Sequence, residues 1–88
     1  MRYIRVSDLE TRVVGDEMLV HDRLNSKVHV LNKAAGEMLQ RCETAHSSAE
    51  LTSFLCERYA VTQEVAALDV ERVIKRFCDL GLVDVTES

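Results

Sequence analysis

The chain contains 88 residues, of which 47% are apolar and 30% are charged, and it carries a formal net charge of −4. This length suits one domain, and we expect a single domain over residues 1–88. No apolar run reaches the roughly 20 residues of a membrane-spanning helix, and the basic start at Arg2 and Arg5 leads into acidic residues instead of the apolar stretch of an export signal. The sequence therefore predicts a cytoplasmic protein with no membrane partner.

The first third of the chain has the alternating pattern of β-strands. Residues 1–10 alternate only weakly and suit either a flexible arm or an extra strand. Two stronger runs, 11–14 and 18–21, flank a short glycine-containing link and predict a hairpin. Turn-forming residues then precede Lys27–Leu31, where β-branched valines restore the alternation. We expect a three-stranded antiparallel meander.

Helical periodicity begins at Asn32, which is a favoured N-cap residue. Apolar residues spaced for one helical face predict a first helix over about residues 33–43. Ser47 and Glu50 have the spacing of a capping box, which predicts the start of a second helix. A third helix and a short apolar tail follow, and we expect the tail to fold back onto the body. The predicted fold class is α+β, with three antiparallel strands followed by three helices.

The third predicted helix lies between Thr62 and Gly81 and has a wider apolar surface than a small core needs. With about 100° per residue the apolar arc spans roughly 160°, whereas ~100° is enough to pack on a small body. The surplus edge of the helix comprises Ala67, Ile74 and Cys78, with Glu71 beside it. Two interpretations remain open: this edge packs on the sheet, or it faces a groove beside the third strand. Unpaired backbone groups of an edge strand can recruit an extended peptide.

Two segments carry a resemblance to a known family. Lys27–Asn32 is a strand pattern that runs into a helix, and residues 69–82 read Asp-Val-x-x-Val-Ile-x-x-Phe-x-x-Leu-Gly-Leu. From about Leu9 to Val85 the sequence resembles the PqqD-like family, the recognition elements for ribosomally made and then modified peptides. The resemblance implies a winged helix-turn-helix variant with three antiparallel strands followed by three helices.

The same resemblance implies a binding function. In that family the domain binds the leader segment of a precursor peptide, which adds as a further strand beside the third strand and lies against the third helix. The implied partners are this precursor and a peptide-modifying enzyme, such as a radical SAM protein, a cyclase or a leader peptidase. The implied peptide-binding residues are Lys27, Val28, His29, Val30 and Leu31 on the strand and Ala67, Val70, Glu71, Ile74 and Cys78 on the helix.

The sequence contains no motif that is typical of an enzyme. It has no nucleophile, phosphate-binding or paired-carboxylate motif. The histidines, His21, His29 and His46, and the cysteines, Cys42, Cys56 and Cys78, lack the spacing of a metal site. We therefore expect a protein that is not an enzyme, has no cofactor and no metal, and keeps its cysteines reduced as half-buried packing residues.

Two alternative functions remain open. A winged-helix DNA-binding regulator is one, because Arg72, Lys75 and Arg76 cluster on the third predicted helix. Against it, 11 basic residues are outnumbered by 15 acidic ones, and nucleic-acid binding draws most of its affinity from basic side chains. The charge balance therefore predicts no nucleic-acid partner. The other alternative is a structural subunit that docks on an enzyme.

Overall fold

A computed structural model describes residues 1–87 of the chain, in which two antiparallel sheets pack with three helices. The α+β fold with a three-stranded sheet followed by three helices is confirmed. One sheet has the order β2-β3-β4, and the other is a two-stranded ribbon of β1 and β5. The elements are β1 (Arg2–Arg5), β2 (Leu9–Val14), β3 (Glu17–Asp22), β4 (Lys27–Leu31), α1 (Lys33–Arg41), α2 (Ser48–Arg58), α3 (Gln63–Asp79) and β5 (Val83–Thr86).

Short turns fix the register of the three-stranded sheet. Gly15 has φ +61° in the two-residue turn that joins β2 to β3, a conformation that suits a residue without Cβ. In the next turn the Asp22 carboxylate accepts hydrogen bonds from the backbone N and the Nδ2 of Asn25, at 3.1 and 2.9 Å. The bond from the Asn25 side chain is the main cause of a lowered pKa of Asp22. Both turns therefore hold β3 in line with its neighbours.

The ribbon of β1 and β5 brings the two ends of the described chain together. Tyr3 lies opposite Val85 in its register. On its other side, Tyr3 exchanges two backbone hydrogen bonds with His46, at 2.8 and 3.0 Å. The expected fold-back of the apolar tail is thus a strand, and residues 2–5 are its partner. The ribbon is anchored to the loop between α1 and α2.

Side-chain caps begin all three helices. The Oδ1 of Asn32 accepts from the backbone N of Ala35 at 2.9 Å. Ser47 and Glu50 form the predicted reciprocal capping box, and the hydroxyl of Thr62 caps α3. Each helix therefore starts where its capping residue predicts.

One core joins the three-stranded sheet to the helices. Met18, Val20 and Leu31 point from the sheet into it, and Phe77 of α3 is fully buried there. None of the helices in residues 1–87 is long and apolar enough to cross a bilayer.

Candidate peptide-binding site

The outer edge of β4 has no strand partner among residues 1–87. Its backbone groups alternate in direction, as in any antiparallel pair. The Arg76 guanidinium, which belongs to α3, lies 3.5 Å from the Val30 carbonyl oxygen, so this carbonyl points away from β3. By the alternation, Val28 also presents its N–H and C=O outwards, whereas Lys27, His29 and Leu31 bond to β3. The open edge therefore offers two donors and two acceptors.

The side chains of β4 divide between the two faces of the sheet. Leu31 is buried in the core and His29 is half-buried on the same inner face. Val28 and Val30 point to the outer face and are 63% and 46% exposed. An added strand would thus meet valines on its outer side and α3 on its inner side.

One flank of α3 borders this edge. It presents Val73, which is half-buried, and Arg76, which is exposed. Next to them Arg72 pairs with Asp69 at 3.3 Å. Just beyond the end of β4 there is a pocket of about 270 Å³. All four of these α3 residues line it, and its other walls are Asn32, Ala34, Ala35, Met38 and Leu55. The pocket has an apolar floor and a charged rim.

His29 has an unusual environment at this edge. Its Nε2 is buried and has no hydrogen-bond partner within the described part of the chain. The alternation of β4 places His29 on the same face as Lys27 and Leu31. Because a buried polar nitrogen without a partner is costly, His29 is the polar group at this edge with most to gain from a new contact.

The structure separates the two halves of the predicted site. Ala67, Glu71, Ile74 and Cys78 lie on the opposite flank of α3, where they line a different cleft of about 790 Å³ between α2, α3 and the ribbon. Val70 is in the core, with 1% of its surface exposed. The expectation that these residues form a groove with β4 is therefore corrected: they do not lie beside the strand. The reason is that α3 packs through a stripe that includes Val70, Ile74 and Phe77, so its two flanks face different sides of the molecule.

Val73 and Arg76 are the residues that the sequence analysis missed. On the helical projection Val73 lies on the other side of Val70 from Ile74, so it was available as a candidate. Its apolar neighbours Ala66 and Phe77 made that side look like core, and both are indeed buried. Periodicity gives the width of an apolar arc but not the identity of the element that each flank faces.

The histidines and cysteines were considered above as possible metal ligands. Within residues 1–87 no group of three His, Cys, Asp or Glu side chains comes together to hold a metal. The three cysteines are free, but their burial differs from the half-buried state that the sequence predicts for all of them. Cys42 is buried, which raises the pKa of its thiol to about 11, only Cys56 is intermediate, and Cys78 is exposed.

Comparison with known proteins identifies the family. The model of the family described as coenzyme PQQ synthesis protein D (PqqD) matches residues 8–83. The chain belongs to the PqqD family. This match confirms the resemblance that the strand pattern and the third helix carry. No curated protein sequence matches the chain.

Two solved structures share the fold over almost the whole chain. The first is described as TbiB1 in complex with the TbiA(beta) leader peptide, with a TM-score of 0.82 and 12% identity, covering 97% of this chain and 99% of its own. The second is lasso peptide synthetase B1 complexed with the leader peptide, with a TM-score of 0.78 and 20% identity, covering 94% and 98%. At these identities the likeness establishes the fold.

Proposed function

We propose that this protein binds the leader segment of a ribosomally made precursor peptide as a fourth strand beside β4. The observation that carries the proposal is the open edge, where the N–H and C=O groups of Val28 and Val30 point away from β3. Strand addition uses such groups for affinity and nearby pockets for selectivity. The two solved complexes with leader peptides support it, because both have this fold.

Side chains of the added strand would have two different surroundings. Those that point inwards meet Val73 and Arg76, and the strand's end near Asn32 reaches the pocket of about 270 Å³. An apolar side chain of leucine size suits the floor of that pocket, which Ala35, Met38 and Leu55 provide. Selectivity would come from this pocket and affinity from the backbone of β4.

The proposed partner that follows is a peptide-modifying enzyme. A module that holds a leader by its backbone leaves the rest of the precursor free for a radical SAM protein, a cyclase or a leader peptidase. Because the proposed ligand is a ribosomal product, this role places the protein in the cytoplasm. The far flank of α3 with Ala67, Glu71 and Cys78 then remains accessible while β4 is occupied.

Amide signals of the labelled protein test the proposal. The protein is titrated with the synthetic leader of a precursor peptide chosen from the genes that neighbour its own. We expect saturable binding, with the Val28 and Val30 amides newly protected from hydrogen exchange, whereas the His29 amide is protected already. Absence of saturable binding well above micromolar concentration would overturn the function. Saturable binding without protection of Val28 and Val30 would overturn the site.

The structure does not favour DNA binding. The basic cluster on α3 is divided, since Lys75 pairs with Asp79 at 2.8 Å and Arg72 pairs with Asp69. A helix that enters a DNA groove presents one continuous basic and polar face. The net charge of −4 adds repulsion from phosphates. We expect no measurable DNA binding at physiological salt.

A further inference from the structure

The two flanks of α3 differ in charge. Lys75 lines the cleft on the far flank and pairs with Asp79 at 2.8 Å. Arg72 and Arg76 lie on the flank that borders β4. A chain with a net charge of −4 therefore places two arginines beside its open strand edge. Peptide binding by backbone alone leaves this charge unexplained.

Arg76 has no acidic partner among residues 1–87, whereas Arg72 pairs with Asp69 at 3.3 Å. The contact that Arg76 does make is with the Val30 carbonyl oxygen, at the long distance of 3.5 Å. A guanidinium has five N–H donors in a planar fork, and its best match is a carboxylate that accepts two of them. Most of the bonding capacity of Arg76 is thus unused.

Strand addition would release this guanidinium. The Val30 carbonyl is one of the two acceptors on the open edge, so a peptide strand uses it for one of its own N–H groups. A carbonyl oxygen can accept two hydrogen bonds, but at 3.5 Å the Arg76 contact is the weaker one, so the guanidinium is free to turn to a better acceptor. It stays beside the peptide because α3 fixes its Cα. The peptide side chains on the inner face of the sheet point towards the same space.

We infer that the peptide segment that pairs with β4 carries an aspartate or glutamate whose side chain faces α3, and that Arg76 moves from the Val30 carbonyl to bind it. The inference rests on the proposed function and adds a ligand class to it, an acidic extended peptide. The net charge of −4 repels such a peptide from the protein as a whole, and Arg76, which has no acidic partner among residues 1–87, directs it to this edge.

A selection from random peptides tests the inference without knowledge of the natural precursor. A displayed library of twelve-residue peptides is selected on the wild-type protein, on Arg76→Gln and on Lys75→Gln. This length is sufficient because a strand rarely exceeds about ten residues. Lys75→Gln is the matched control, because it removes a neighbouring positive charge on the far flank of α3. Thermal melts of all three proteins check that each is folded.

We expect the wild type and Lys75→Gln to select peptides with an acidic residue at one fixed position of an apolar pattern. Arg76→Gln should keep the apolar pattern and lose the acidic preference. In direct titration of one selected peptide, replacing its acid by the amide should weaken binding to the wild type roughly threefold to fivefold and leave binding to Arg76→Gln unchanged.

Two results would overturn the inference, and they are distinguishable. If wild-type protein selects peptides without an acidic position, or binds acid and amide equally, the function stands and the role of Arg76 fails. If the wild-type protein selects no peptide at all, the proposed function fails and the inference fails with it.

Discussion

Gly36 of α1 lies so close to Met18 of β3 that a Cβ on Gly36 would be 3.0 Å from the Met18 Cβ. Helix α1 therefore packs directly on the side chain of Met18 at this point. Gly36→Ala should lower the free energy of unfolding by about 1 kcal/mol, because overpacking costs about 1–3 kcal/mol and the gain in helix propensity offsets part of it. Chemical denaturation measures the change. In a Met18→Gly background the same substitution should be neutral or stabilising relative to Met18→Gly alone. A double variant that is less stable than Met18→Gly would contradict the proposed clash.

Proline at two adjacent positions of β4 tests the direction of its backbone groups. Val30→Pro removes an N–H that points to the open edge, so it should leave the fold nearly intact and weaken leader binding roughly tenfold, the equivalent of one hydrogen bond. His29→Pro removes an N–H that bonds to β3 and should destabilise the domain. Isothermal titration and thermal melts report the two effects. Equal stability of the two variants would contradict the assigned alternation, and a less stable Val30→Pro would mean that it is reversed.

The two flanks of α3 can be separated by one matched pair of charges. Val73→Glu places a carboxylate beside β4 and should abolish measurable leader binding, because it is buried under the added strand and repels an acidic peptide. Ala67→Glu places the same group in the far cleft, where Ala67 is exposed, and should leave the affinity unchanged. Weakened binding in Ala67→Glu would indicate that the far cleft is part of the peptide-binding site.

The capping box of α2 predicts how stability responds to acid. The Ser47 N–H donates to Glu50 Oε1 at 2.9 Å, and this bond is the main reason that the pKa of Glu50 lies below its ordinary value of 4.5. A carboxyl whose pKa is lowered by folding stabilises the fold above pH 4.5, and the contribution is lost as the pH falls through the lowered pKa. Glu50→Gln should therefore flatten the loss of stability below pH 4.5 in denaturation series. An unchanged acid slope in this variant would show that the box does not form.

The reactivity of the cysteine thiols should decrease as their burial increases. Cys78 is exposed, whereas burial raises the pKa of Cys42 to about 11, so only about one molecule in a thousand would carry a Cys42 thiolate at pH 8. Iodoacetamide should modify Cys78 first and Cys42 only on unfolding, as mass spectrometry of digests can show. Modified Cys78 should not impair leader binding, since it lies on the far flank. Loss of binding after that modification would place the peptide in the far cleft.

The sequence predicted the fold well because its boundaries depend on local chemistry. Asn32, Ser47 and Thr62 each cap the helix that follows by bonding an amide three residues along the chain. Such bonds need no knowledge of the rest of the molecule. The pairing of Tyr3 with Val85 is different, because weak alternation at both ends of the chain cannot say that these ends meet.

The strand of the candidate site could be predicted from local sequence, but the helix flank that borders it could not. Lys27–Leu31 follows from alternation and turn spacing alone, and the structure places this segment at an open edge. Which flank of α3 borders that edge depends on how the helix crosses the sheet, and Val73 and Ile74 are adjacent residues on opposite flanks. A pattern of apolar residues contains no information on that crossing.

Arginine covers both open margins of the three-stranded sheet. Arg5 donates to the Leu9 carbonyl of β2 at 3.0 Å, as Arg76 approaches the Val30 carbonyl of β4 at 3.5 Å. Unprotected strand margins template the assembly of fibres and aggregates. The Arg76 contact is the longer of the two and opens more readily, so it protects the edge of β4 while leaving it accessible to an added strand. Replacement of both arginines should therefore hasten aggregation of the unliganded protein, as light scattering can measure, with little change in its free energy of unfolding.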